Sequence, residues 1–398
     1  MRFYTAAFIL FTIITILPDF FFYLKLKKHK VKAYLKILNF IPTVFFISIF
    51  ILMKFANTQE YNSSVFQFFM WLNFAFLVIY IPKLVYLIFH FINYLVNLFL
   101  KEKIYLIRYA GIITCMFIFV LFLHGAFVNT KNIEVKKVEL NIDALPPSFE
   151  NFKIVQISDI HLGSWGNNKN YFIPVINQIN NQDADILVFT GDIVNNFQEE
   201  MQGWKDDFLQ LNVKYGKYAI LGNHDYGDYS QWKSPSKKKA NLDAIEEHIK
   251  NFGFKLLKNE TVKLRSDSDF IDLIGVENWG KPPFPKYGNL KKALQNSDST
   301  KLKILLSHDP SHWQAEIVGK EKNIFLTLAG HTHAAQMAFN MYGKLRSPSS
   351  FIYKEWDGLY NESKQFLYVN RGLGFIGIPM RMGAARPEIT VITLHKKS

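Results

Sequence analysis

Four apolar runs in the first third of the chain, residues 4–24, 35–53, 65–100 and 104–128, constrain its fold more than any other feature. Each is about 18 residues or longer, enough helix to cross the hydrocarbon core of a bilayer. This part of the chain is therefore expected to be a multi-pass helical membrane region. The first run is not read as a cleaved signal peptide, because three more follow and no small-residue cleavage site stands out. Pro18 with Asp19, Pro42, and Pro82 with Lys83 interrupt the runs. The Pro82-Lys83 break leaves two readings of 65–100: one long helix, or a helix plus an interfacial piece. Asp19 and Lys83 lie near run ends or breaks, and both are expected at the membrane interface.

Charge is distributed unevenly. The 398 residues carry a net +13. Residues 1–128 hold twelve Lys/Arg against three Asp/Glu, a net of +9, which leaves +4 for the remainder. A basic excess concentrated in the apolar part points to membrane orientation. No arginine-rich stretch or aromatic stacking pattern favours nucleic acid. Lys25, Lys27, Lys28, Lys30, Lys32 and Lys36 follow the first run, and Lys101 and Lys103 follow the third. The segment Ala56 to Ser64 has neither Lys nor Arg. Loops one and three are thus expected in the cytoplasm, with both termini and the C-terminal domain on the extracytoplasmic face. Lys131, Lys136 and Lys137 pull the other way, and a re-entrant third run would reverse the orientation. The single cysteine, Cys115, allows no intrachain disulfide and no cysteine metal site.

Composition changes near residue 129. The expected organisation is a membrane region over 1–128, a linker with a first strand over 129–149, and a domain over 150–398. Val135 to Ile142 alternates apolar and polar, a strand pattern, and Pro146-Pro147 marks a turn. Strands are expected at Lys153 to Ile157, Ile186 to Thr190, Tyr218 to Leu221, Phe270 to Val276, Lys303 to Ser307 and Ile324 to Ala329. Helices are expected at Tyr171 to Asn181 and Leu242 to Phe252, with Tyr226 to Asn241 as a polar surface loop. This rhythm suggests a layered α/β domain with sheet inside and helices outside.

Metal-ligand residues collect where those strands end. "SDIHLG" supplies Asp159 and His161, "TGDIV" Asp192, "LGNHD" Asn223, His224 and Asp225, "SHDP" His308, and "AGHTH" His331 and His333. Side chains from neighbouring strands converge at their carboxyl ends in α/β folds. Any one of these residues alone reads more simply as a helix cap, a turn residue or loop decoration. Five strand ends carrying imidazole, carboxylate and amide groups together do not. That donor set suits a pair of divalent ions (Mn, Fe, Zn or Ni), and the absence of thiolate disfavours a purely structural zinc site.

The ordered set Asp-x-His, Gly-Asp, Gly-Asn-His-Asp, His, Gly-His-x-His resembles the calcineurin-like binuclear metallophosphoesterase superfamily. The resemblance covers roughly residues 150–395. "KIVQISDIHLG" and "VNRGLGFIGIPMRMGAARPEITVITL" are similar to its membrane-associated bacterial branch, some members of which cleave lipid-linked diphosphates such as UDP-diacylglucosamine. The resemblance implies a four-layer α/β sandwich that cleaves phosphoester or diphosphate bonds through a metal-bridging hydroxide, on a lipid-linked or nucleotide-linked substrate. It implies one metal on Asp159, His161, Asp192 and His333, and a second on Asp192, Asn223, His308 and His331. His224 would lie beside the metals to stabilise phosphoryl oxygens or protonate the leaving oxygen, with Asp225 orienting it. Arg381 in the tail is a candidate substrate contact, since guanidinium forks suit phosphate. His312 is expected at the surface or beside the ligands. Two departures stand out. Ala334 and Ala335 occupy positions where the family often has glycine, and alanine tolerates positive φ poorly. Glu277 and Asn278 stand where an acidic pair is common. The alternative reading is a catalytically silent metal-binding sensor or scaffold.

Overall fold

The computed structural model describes residues 2–53, 61–166, 168–282 and 285–397, with side chains from residue 10 onward. The chain divides into two compact units, Met1–Thr58 with Trp71–His124, and Gln59–Met70 with Gly125–Ser398.

The first unit is helical. Among the described residues, Ala33–Leu52, Ser63–Leu98 and Leu106–Lys131 are long and apolar enough to cross a membrane. The first apolar run also forms a helix, Arg2–Lys28. Residues 65–100 are not broken at Pro82: one 36-residue helix, Ser63–Leu98, contains it. Leu106, Ile113, Phe117 and Val120 on Leu106–Phe127 are all strongly exposed. Such an outward apolar face is what lipid solvates and water does not.

Asp19 and Lys83 form an ion pair. Asp19 is wholly buried within the helical unit. Thr43 Oγ1 donates to Asp19 Oδ2 at 2.5 Å, and Asn39 Nδ2 donates to the Asp19 carbonyl at 2.7 Å. Tyr80 OH lies 3.0 Å from Thr43 Oγ1. Apolar surroundings make an isolated charge costly, and the two charges partner each other within the helical unit.

The second unit is built on two six-stranded sheets. The strands are β1 (Glu134–Ile142), β2 (Phe152–Ile157), β3 (Ile186–Phe189), β4 (Gly216–Ala219), β5 (Phe254–Leu256), β6 (Glu260–Ser266), β7 (Asp269–Gly275) and β8 (Lys303–Leu306), then β9 (Ile324–Ala329), β10 (Met337–Met341), β11 (Lys344–Arg346), β12 (Gly358–Glu362), β13 (Gln365–Val369), β14 (Met382–Gly383) and β15 (Glu388–Lys396). One sheet runs β1-β15-β2-β3-β4-β5, the other β12-β13-β9-β8-β7-β6, and β11-β10-β14 form a small third. The neighbours β2, β3 and β4 are parallel, as are β7, β8, β9 and β13.

Alternation along the strands sorts their side chains into separate cores. Ile154 of β2 joins Ile186, Val188, Leu273, Ile304, Leu306 and Leu328 in a cluster drawn from both large sheets. Val155 and Ile157, pointing the other way, pack with Phe172, Val175, Ile179, Ile245 and Ile249 from two helices. Leu305 and Val369 of the second sheet pack with Leu290 and Trp313.

The helix at Pro235–Asn251 starts inside the stretch expected to be loop. Ser234 caps it, its hydroxyl accepting from Lys237 N at 3.2 Å, and Pro235 takes the first turn. Serine before proline is a helix start that the three lysines after it obscure.

Candidate metal centre

Strand order explains the assembly of the site. Because β2, β3 and β4 are parallel neighbours, Asp159, His161, Asp192 and Asn223 leave the same edge of one sheet. The parallel pair β8 and β9 delivers His308, His331 and His333 from the other. The approach leaves no room for extra atoms. A Cβ on Gly222 would overlap Asp192, and one on Gly330 would overlap Asp159.

Two donor clusters result. Asp159, His161 and His333 form one, and Asp192, His308 and His331 the other, with ligand atoms in each within 4.8 Å of one another. In the first, His161 Nε2 faces His333 Nε2 at 3.1 Å, and His333 Nε2 lies 3.2 Å from Asp159 Oδ1. In the second, Asn223 Oδ1 sits 3.0 Å from His308 Nε2 and 2.7 Å from His331 Nδ1. Asp192 Oδ2 reaches both: 3.1 Å from His308 Nε2 and 3.8 Å from His161 Nε2. Buried imidazole nitrogens turned toward one another, with carboxylate and amide oxygens between them, form a donor set that fits two divalent cations.

His224 lies beside this array. Its backbone N–H donates to Asp192 Oδ1 at 2.8 Å, its Nδ1 is 2.8 Å from the Asn195 carbonyl, and its ring meets His161 edge-on at 5.0 Å. Asp225 has a different task from the one expected. Its carboxylate accepts backbone N–H groups from Gly222, Asp192, Ile193 and Val194, at 2.8 to 3.3 Å. It ties the Asp192 loop to the Asn223 loop, and the Asn195 carbonyl holds the His224 ring instead. A buried carboxylate among orphan N–H groups is satisfied there first.

Three residues that motif reading missed also shape the centre. Glu200, fully buried, accepts from the N–H groups of Gly163, Asn195, Asn196 and Phe197, fixing the loop that holds His224. Tyr229 OH accepts from Asn223 Nδ2 at 2.8 Å, and its ring lies 4.4 Å from that of His224. Tyr353 OH lies 2.7 Å from His331 Nε2, the nitrogen facing away from the cluster. Partners of this kind orient metal-ligating histidines. No motif marks Tyr353, which is brought in from 22 residues beyond His331 by the fold.

Arg381 also departs from expectation. It is completely buried, with Nε donating to the Gly374 carbonyl at 2.8 Å and Nη1 to the Arg371 carbonyl at 3.0 Å. Its Nη2 lies 3.3 Å from His333 Nδ1, so it backs a donor residue rather than meeting substrate. A guanidinium with five N–H donors suits arginine to a buried chain crossing rich in carbonyls. His312 is likewise buried, between Ser307 Oγ at 2.8 Å and Glu316 Oε2 at 3.2 Å. Glu277 is held by Tyr226 OH at 3.2 Å and by Asn259.

The backbone at the site is bent into the left-handed region. Asp159, His161, Asp192, His331 and His333 all have φ between 49° and 75°. Ala334 and Ala335, at φ 50° and 47°, adopt it too, so the loop keeps the geometry that glycine would favour. Such conformations strain residues with a Cβ and concentrate at functional sites. Ala335 is exposed. Ala335→Gly is therefore expected to stabilise the protein by about 0.5–1 kcal/mol, seen as a higher thermal midpoint. A lower midpoint would show that the loop is not strained there.

Electrostatics follow from packing. Burial opposes the charge on His308, but the Asp192 carboxylate outweighs it and lifts the imidazole to about 10. Burial and the charge of His308 push His331 down to about 4. Burial and the nearby Asp192 charge raise Asp225 to about 7. A ligand histidine must be neutral to bind a metal. Metal uptake is thus expected to release a proton, and apparent affinity should fall as pH drops from 8 to 6. Titrating Mn²⁺ calorimetrically in buffers of different ionisation enthalpy reads the proton directly; a buffer-independent heat would contradict this.

Paired donor clusters at the carboxyl ends of parallel strands, with a histidine beside them, make a candidate two-metal centre. Residues 152–335 match the model of the calcineurin-like phosphoesterases, and residues 1–130 match that of a probable calcineurin-like phosphoesterase transmembrane domain. The chain is 32% identical over 278 residues to the uncharacterized metallophosphoesterase YkuE of Bacillus subtilis, covering 68% of this chain and 88% of that one. It is 29% identical over 286 residues to a transmembrane protein with metallophosphoesterase domain of Danio rerio, covering 70% of this chain and 61% of the relative. The chain belongs to the calcineurin-like metallophosphoesterase family, as a membrane-associated phosphoester hydrolase.

Proposed function

We propose that the protein cleaves a phosphoester or diphosphate bond in a lipid-linked or nucleotide-linked substrate, on the extracytoplasmic face of a cell membrane. The observation that carries this reading is Asp192, one carboxylate within 3.8 Å of donors in both clusters. Asp159, His161, Asp192 and His333 would hold one divalent ion, and Asp192, Asn223, His308 and His331 the second. When bound, such a pair supplies positive charge and acidifies a water near neutral pH. The chain's own residues do the rest. His224, fixed at Nδ1 by the Asn195 carbonyl, presents Nε2 to the leaving oxygen and transfers a proton to it. Tyr229 packs along that imidazole and limits its rotation. Asp225 and Glu200 hold the two loops that aim it. Purified full-length protein in detergent should hydrolyse bis(p-nitrophenyl) phosphate with added Mn²⁺ and stop with chelator; no turnover with two metals bound per chain would overturn general phosphodiesterase activity.

The orientation rests on charge and on the unit boundaries. Lysines flank the first and third loops, and the segment before the third run carries none. Residues 61–70, which open that run, belong to the same unit as the metal centre. Tyr342 is fully exposed on the β10–β11 turn. In a Cys115→Ala background, Tyr342→Cys should react with a membrane-impermeant maleimide on intact cells. Labelling only after lysis would put the catalytic domain in the cytoplasm.

A further inference from the structure

The small sheet β11-β10-β14 and the turn that follows β11 carry a surface that hydrolysis does not use. We propose that this lobe docks on an anionic lipid surface: Phe351 and Ile352 enter the bilayer edge, and Lys344, Arg346 and Lys354 meet the headgroup phosphates. The lipid is a docking partner here, whatever bond the metal centre cleaves.

The residues have the pattern of an interfacial face. Residues 334–354 contain Lys344, Arg346 and Lys354 and neither Asp nor Glu. All three cations are exposed, Lys354 even though its Nζ lies 3.6 Å from the buried Glu355. Beside them Phe351 is 92% exposed and Ile352 67%. Adjacent large apolar side chains left this open mark a contact surface. Cations around them select an anionic one. Tyr342 is exposed on the same lobe. Its polar tip suits the wetter headgroup layer, where a reagent in water still reaches it.

The apolar pair is held outward by its own turn. Ser347 Oγ donates to the Ala334 carbonyl at 2.6 Å, and Ser349 Oγ to the Thr332 carbonyl at 3.2 Å. On the far side of the pair, Thr332 Oγ1 donates to the Trp356 carbonyl at 2.7 Å. Trp356 packs with Ala334, Ala338 and Ala385 in a small core of its own, against which Tyr353 and Leu345 also lie. Phe351 and Ile352 therefore cannot turn inward without breaking these bonds.

The same core is fastened to the end of a membrane span. From Leu106 to Gly125 the last span rises about 30 Å, the thickness of the hydrocarbon core. At Gly125 the chain joins the unit that holds the metal centre. Arg381 N donates to the Gly125 carbonyl at 3.0 Å, and a Cβ on Gly125 would lie 2.9 Å from Met380 Cγ. Asn129 Nδ2 donates to the Arg381 and Gly383 carbonyls at 2.9 and 3.0 Å. β14, held in this way, pairs with β10 through Met382 and Met337 and through Gly383 and Ala338. The lobe is thus tethered where the span leaves the bilayer. Tethering keeps lipid at high effective concentration, which favours it over a soluble partner.

The test uses full-length protein with Cys115→Ala and Phe351→Cys, labelled with a nitrobenzoxadiazole dye. It is reconstituted in vesicles of phosphatidylcholine, alone or in equal parts with phosphatidylglycerol. Brominated acyl chains quench a dye that reaches the bilayer edge. Quenching should be about threefold stronger with phosphatidylglycerol than without. A label placed instead by Leu209→Cys, exposed on the Lys205–Leu209 helix, should not be quenched. Lys344→Glu with Arg346→Glu and Lys354→Glu should erase the phosphatidylglycerol effect. If that variant fails to fold, the comparison of the two lipids in the labelled protein still decides. An unquenched label in both lipids, or equal quenching at Leu209, overturns the proposal. So does quenching indifferent to phosphatidylglycerol or to the charge reversals. A blue-shifted, unquenched emission that grows with protein density would assign the face to a second copy of the chain, and overturns it too.

Discussion

Asp192→Asn is expected to lower hydrolysis of bis(p-nitrophenyl) phosphate by about 10²–10³-fold, the range for losing one preorganised electrostatic partner. The substitution keeps the side chain's shape. Its Oδ1 can still accept the His224 N–H, a contact of 2.8 Å in the native protein. The change removes the charge that reaches His308 at 3.1 Å and His161 at 3.8 Å. Metal content measured by mass spectrometry should fall below two per chain. An unchanged rate with two metals bound would mean that Asp192 does not join the clusters.

Removing Asp19 should have the second large effect, on stability. Asp19→Leu leaves the Lys83 ammonium without its carboxylate and removes the Oδ2 acceptor of Thr43 Oγ1. Breaking a buried pair by deleting one partner costs about 3–5 kcal/mol, because the remaining charge stays desolvated. Replacing both, as Asp19→Leu with Lys83→Met, removes that penalty and should recover most of the loss. Thermal unfolding of the full-length protein in detergent reads both. A harmless single variant would show that water or headgroups reach Lys83.

Much of the site was legible because it is made of short motifs at strand ends. Asp-x-His and His-x-His put polar donors immediately after buried apolar strands, where a sheet has no other use for them. The surrounding support was not legible in this way. Asp225 adjoins His224 in sequence, which suggested that it orients the ring; the fold gives its oxygens to four backbone N–H groups. Arg381 looked like a phosphate fork, but carbonyls from its own tail surround it. Pro235–Asn251 was hidden by its charged first turn, since hydrophobic periodicity begins only at Leu242.

By itself, the sequence determined the helical membrane region and the alternating α/β elements, through run length and periodicity. It also determined the donor types at five strand ends. Only the tertiary structure decided which donors face one another, that Asp192 reaches both clusters, and that Asp19 is buried against Lys83. It also decided that Tyr229, Tyr353 and Glu200 steady the centre. The reason is physical. Propensity and hydrophobic pattern act over a few residues and can be read locally. A hydrogen bond between Tyr353 and His331, or an ion pair spanning 64 positions, exists only after sheets and helices have packed.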